Sequence, residues 1–157
     1  MKILVAYYSR SGVTRIAAQA IAKILEADIE EIIDLKNRKG PVGFMLSCMD
    51  AGRKKASEIK PAENNPEQYD LIILCTPVWA GTMSCAMRSY IRTYKDKIKN
   101  CAFVCTTQSS GISTTFEHME KESGKKPVAT LALKTKQVRK NDYTTQVKQF
   151  TEALVIK

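Results

Sequence analysis

The chain opens with the apolar run Ile3-Leu4-Val5-Ala6-Tyr7-Tyr8, and a second such run, Leu71-Ile72-Ile73-Leu74-Cys75, appears near its middle. Neither alternates with polar residues, which is the pattern of a strand covered on both faces. The intervening segments change to helical spacing. Within 13–26, for example, Ile16, Ala20, Ile21, Ile24 and Leu25 form a predicted inward stripe. The whole pattern predicts strands over 2–8, 28–34, 71–75, 100–106 and 127–133, with helices over 13–26, 83–95, 113–123 and 141–155. The long connection 35–70 carries a short helix starting near Pro41, because proline suits a first helical turn. Strands alternating with helices imply a parallel sheet between two helical layers. Five strands in this rhythm predict the doubly wound order 2-1-3-4-5, with a ligand at the switch between the first and third strands. No internal repeat divides the chain, and residues 1–157 read as one domain.

The candidate chemistry lies at that switch. The first strand runs into Ser9, Arg10, Ser11, Gly12, Val13 and Thr14, and a helix follows without a break. Three hydroxyls, the free N–H groups of a helix start and the positive end of its dipole would meet there, which is a device for binding a phosphate. Gly12 permits a tight turn and close approach by an anion. Other phosphate loops are excluded by what is missing. There is no G-x-x-x-x-G-K-[ST], Gly12 stands alone where G-x-G-x-x-G needs three glycines, and Cys48 to Arg53 is one residue short of C-x5-R. A receiver domain would need acidic residues after the first strand, where Ser9 stands. An ordinary N-cap with incidental serines is the alternative.

Two further loops fall at the same sheet edge. Thr76, Pro77, Val78, Trp79, Ala80, Gly81 and Thr82 follow the third strand and include the only tryptophan. Gly81 suits the positive-φ position of a type II turn. Thr106, Thr107, Gln108, Ser109, Ser110 and Gly111 follow the fourth strand. Together the three loops would enclose a flat, partly polar heterocycle, with Trp79 on its face and Gln108 at its edge.

These residues resemble the flavodoxin family, specifically its short, single-domain branch. Ser9, Ser11, Gly12 and Thr14 match the [ST]-x-[ST]-G-x-T loop that binds the FMN phosphate in that family. The 76–82 and 106–111 stretches resemble the loops that flank the isoalloxazine and meet its pyrimidine edge. The resemblance implies a flavodoxin-like three-layer sandwich, FMN as cofactor, and these three loops as its binding residues. It assigns no acid, base or nucleophile and no metal. Cys85-Ala86 stands where relatives often carry Pro-Pro.

Composition refines this picture. Five cysteines in a chain large enough to fold without disulfides suggest free thiols in the cytoplasm. Cys101 and Cys105 share a strand face by period two and read as buried apolar residues. No apolar run is long enough to span a membrane. Lys and Arg total 25 against 16 Asp and Glu, for a net charge of +9. Residues 84–157 hold 14 of those cations and only 6 acids. Many electron-carrying flavodoxins are acidic, whereas this basic chain would steer acidic redox partner proteins or NAD(P)H. No nucleic-acid-binding module accompanies the charge, and the Lys134 to Lys140 stretch and His118 read as solvated surface. Two functions remain: a redox electron-transfer protein, or an NAD(P)H-dependent FMN oxidoreductase passing two electrons to a quinone or similar acceptor.

Overall fold

A computed structural model of the chain describes residues 1–155; Ile156 and Lys157, included in the single-domain reading, lie outside the described residues. The apolar runs form strands β1 (Ile3–Tyr7) and β3 (Leu71–Trp79), with β2 (Asp28–Glu31), β5 (Cys101–Thr107) and β6 (Thr130–Lys134) beside them. A two-residue strand, β4 (Thr82–Met83), folds back on β3. The parallel sheet has the order β2-β1-β3-β5-β6, with β4 pairing only to β3. Once β4 is set aside, this is the order expected from the sequence. The register places Val5 beside Ile73, Ile73 beside Ala102 and Val104 beside Leu131.

The strands are apolar throughout because both faces are covered. Ile3, Val5, Tyr7, Ile73 and Val104 pack under α1 (Val13–Leu25), α5 (Thr135–Arg139) and α6 (Thr144–Val155). Leu4, Ala6, Ile72, Leu74 and Phe103 face the opposite layer, which holds α2 (Gly40–Gly52), α3 (Cys85–Tyr94) and α4 (Ile112–Ser123). Cys101 and Cys105 are buried in β5, as expected, Cys75 is buried in β3, and all five cysteines are free. Among the described residues, no helix is long and apolar enough to cross a membrane.

Several expectations need correction. The buried residues of α1 are Val13, Thr14, Ala17, Ala18, Ile21 and Ala22, while Ile16 and Ile24 are exposed. The small residues Ala17, Ala18 and Ala22 are buried in place of Ile16 and Ile24, while Ile21 is buried as predicted. β2 ends at Glu31 rather than 34, and α6 starts at Thr144. Part of the presumed solvated 134–140 stretch is helix α5, whose Val138 belongs to the core.

Candidate functional site

β1 ends in a turn fastened by Ser9, whose Oγ accepts a hydrogen bond of 3.0 Å from the Gly12 N–H. Gly12 takes φ +94° and starts α1, and no side chain caps that helix. The N–H donors of the first turn and the dipole of a 13-residue helix are thus left for an external acceptor. Thr14 is buried, and its Oγ1 lies 2.8 Å from Thr106 Oγ1, tying the first loop to the end of β5.

The second predicted loop is mostly strand. β3 continues through Thr76, Pro77, Val78 and Trp79, then reverses over Ala80-Gly81 into β4, with Trp79 paired to Thr82. Ala80 has φ +49° and Gly81 φ +75°. Positive φ at both central residues is the signature of a type I′ hairpin turn, which matches strand twist where the expected type II turn would splay it. Turning the Ala80–Gly81 peptide over would give type II′, whose first position, near +60°, −120°, is the mirror of ordinary turn geometry and suits glycine. The Ala80 methyl opposes that movement.

Behind the hairpin, Thr76 is fully buried and accepts the Ser84 N–H at 3.0 Å. Thr82 Oγ1 lies 3.0 Å from Arg88 Nη2 and 2.7 Å from His118 Nδ1. His118 is therefore half-buried and engaged rather than free on the surface, and burial, Lys54 and Arg88 all lower its pKa. The third loop is pressed against the hairpin at Gly111. A Cβ there would lie 2.9 Å from both Gly81 Cα and Val78 Cγ1, and its φ of +86° also favours glycine.

The three segments enclose a cavity of about 320 Å³. Among the predicted residues, Arg10, Ser11, Val13, Thr14, Pro77, Val78, Trp79, Ala80, Gly81, Thr106, Thr107, Gln108, Ser109 and Ser110 line it. Ser9, Gly12, Thr76, Thr82 and Gly111 are not among its lining residues. Trp79 meets the cavity only in part, since it is 4% exposed. Its ring packs edge-on against Tyr8, with centroids 5.3 Å apart, and the Arg38 guanidinium sits 5.6 Å from its centroid. The more exposed aromatic on the cavity is Phe44 of α2, which carries Arg10 at 5.0 Å from its ring. Phe44, Cys48, Thr135 and Arg139 also line the cavity and were not anticipated. Only the sheet order, which brings the chain after β6 to this edge, could have pointed to the last two.

The electrostatics are one-sided. Arg10 and Arg139 are the only ionised side chains lining the cavity, with no carboxylate or histidine among the described lining residues. The site therefore offers hydroxyls, amides and positive charge to an anion and has no general acid–base pair. The strand thiols Cys101 and Cys105 favour the protonated, less nucleophilic form. Burial pushes Cys101 up to about 11 and Cys105 up to about 12.

Fold and site together define a doubly wound α/β protein with a cavity lined by hydroxyls and two arginines at its topological switch point. The chain belongs to the flavodoxin family, whose model matches residues 2–153. Its structure is similar to that of a flavoprotein from Lactobacillus acidophilus NCFM in complex with FMN, with TM-score 0.73, 21% identity, and 88% of this chain and 97% of that one covered. A protein of Bacteroides uniformis ATCC 8492 provisionally classed as a flavoprotein gives TM-score 0.77 at 20% identity, covering 96% and 97%. Oxidised flavodoxin 2 from Bacillus cereus gives TM-score 0.60 at 19% identity, covering 99% and 98%. No curated protein matches the sequence significantly.

Proposed function

We propose that the chain binds FMN in this cavity and works as a redox electron-transfer protein in the cytoplasm. The observation that carries the reading is the join of an uncapped α1 N-terminus, the Ser11 and Thr14 hydroxyls and two arginines at one cavity, with a polar loop on its opposite rim. This donor set fits a phosphorylated flavin. Ser11, the first-turn amides of α1, Arg10 and Arg139 would hold the phosphate, the last two by neutralising its charge of near −1.5 to −2. Gln108, Ser109, Ser110 and the backbone around them would meet the polar edge of the ring. Phe44, Val78 and the Ala80–Gly81 turn would flank it. When bound, FMN supplies one- or two-electron transfer, and the protein binds, orients and tunes it. A lining without acid or base matches that division of labour. Ala80 resists reorientation of its peptide, and the buried Thr14–Thr106 pair fixes the first loop against the third.

A second reading, the NAD(P)H-dependent oxidoreductase, draws on one observation. The cavity continues into a basic cleft of about 400 Å³ lined by Gln108, Thr135, Lys136, Arg139 and Lys140, suited to the phosphates of a pyridine nucleotide. Anaerobic assays of the FMN-loaded protein with NADH, NADPH and a quinone separate the two. The carrier reading expects no sustained quinone reduction from either nucleotide; saturable turnover with NADPH moves the protein to the enzyme class.

A further inference from the structure

Helix α2 is turned inside out. Its buried residues are Gly43, Ser47, Asp50 and Ala51, while Val42, Phe44, Met45, Leu46 and Met49 face solvent, Met45 at 56% exposure and Val42 at 64%. An ordinary surface helix buries its large apolar side chains against the core. Here the inner face must be small: a Cβ on Gly43 would lie 2.3 Å from the carbonyl carbon of Arg38. Polar anchors hold the helix in place of apolar packing. Buried Arg38 donates from Nε to Asp34 at 2.6 Å, from Nη1 to Asp50 at 3.2 Å and from Nη2 to Ser57 at 2.5 Å, and Lys36 reaches Asp50 at 2.6 Å. The five large apolar side chains of α2 are thus left 37–64% exposed, and a contiguous apolar patch of this kind marks an interaction site.

The charges around the patch identify its occupant. Lys36 and Lys39 stand exposed before α2, and Arg53, Lys54 and Lys55 after it. The single acid between residues 35 and 57, Asp50, is buried beneath the helix. An apolar strip with cations at both ends, some 20 Å apart by helical rise, is an interface core with a charged rim. A second copy would bring like charges together on that rim. Methionines give the surface an adaptable, polarisable contact of the kind used for protein partners. Phe44 and Cys48 belong to α2 and to the cavity wall alike, so whatever covers the helix sits at the cavity mouth.

We infer that the outer face of α2 is the docking surface for a small, acidic, one-electron redox protein, which seats its apolar contact on Val42, Met45 and Met49 and its carboxylates on the flanking cations. This rests on the FMN reading above. Each encounter passes one electron, so two reduced partners are oxidised for each flavin fully reduced, with protons drawn from solvent.

The test uses the FMN-loaded protein and, as probe, a dithionite-reduced plant-type [2Fe–2S] ferredoxin freed of excess reductant, with flavin bleaching followed by anaerobic stopped flow. The rate is expected to saturate with ferredoxin and to fall with salt. The half-saturating concentration is expected to rise tenfold or more in Met45→Ser/Met49→Ser and in Arg53→Glu/Lys55→Glu, with FMN affinity and direct dithionite reduction unchanged. Rates that do not saturate, or that are unchanged in both double variants, overturn the inference. So does Met45- and Met49-dependent sedimentation with phosphatidylglycerol vesicles, which would assign the face to lipid. A dimer in sedimentation equilibrium that the Met45→Ser/Met49→Ser variant dissociates would assign it to a second copy. A protein that fails to bind FMN refutes the functional reading and this inference with it, whereas an FMN-loaded, dithionite-reducible protein indifferent to the patch refutes this inference alone.

Discussion

Replacing Ala80 with glycine should stabilise the protein, even though it removes a side chain and makes no new contact. Ala80 is held at φ +49° at the first central position of the β3–β4 hairpin. An L-residue in the left-handed region is penalised by about 1–2 kcal/mol relative to its right-handed conformation. Glycine escapes that penalty but loses roughly 0.5–1 kcal/mol more backbone entropy on folding. The Ala80 methyl is on an exposed residue, so little burial is lost. The two ranges leave a gain of about 0–1.5 kcal/mol, centred on about 0.75, and the centre is equivalent to roughly 1.5–3 °C in melting temperature for a chain of this size. Urea unfolding of the apoprotein measures it, with Gly81→Ala as the opposite control. At Gly81, φ is +75° and no atom lies within 4 Å of an added Cβ, so the expected loss of about 1 kcal/mol is purely conformational. If Ala80→Gly is destabilising at unchanged urea dependence, the hairpin does not hold Ala80 at positive φ, and the type I′ assignment is wrong.

Trp79→Ala should act mainly on folding. With the indole packed on Tyr8 and 4% exposed, about 3–5 kcal/mol of stability should be lost in urea, and a loss under 1 kcal/mol would contradict the packing. Native protein should show one reactive thiol with a disulfide reagent, Cys48, because the other four are buried, and FMN should protect it; reaction unaffected by FMN would place the flavin elsewhere. Arg139→Gln should weaken FMN by about 1.5–3 kcal/mol and flatten the salt dependence of binding while leaving riboflavin affinity unchanged, as fluorescence titration would show. Equal losses for both flavins would remove Arg139 from the phosphate.

The sequence revealed most where local and global signals agreed. Continuous apolar runs identified the central strands, and the sheet order followed from their alternation with helices. The phosphate-type loop was legible because its residues are contiguous. The Trp79 hairpin was not, since glycine at 81 is equally at home in type II and type I′ turns and the deciding residue, Ala80, gives no sign of accepting positive φ. Phe44, Cys48, Thr135 and Arg139 lay hidden for another reason: α2 and α5 reach the cavity through tertiary packing, and nothing in their local sequence points to a ligand. The inverted face of α2 was equally silent, because a helix apolar on nearly all sides does not reveal which side is covered until the Arg38–Asp34–Asp50 anchor is seen.

Titration of the apoprotein with FMN and with riboflavin, each followed by flavin fluorescence, tests the central claim most directly. A cavity whose uncapped helix start, hydroxyls and two arginines hold a phosphate predicts one FMN per chain, bound at least a hundredfold tighter than riboflavin, with Ser11→Ala and Arg139→Gln narrowing the gap. Equal affinity for the two flavins, or a gap untouched by either substitution, would contradict it.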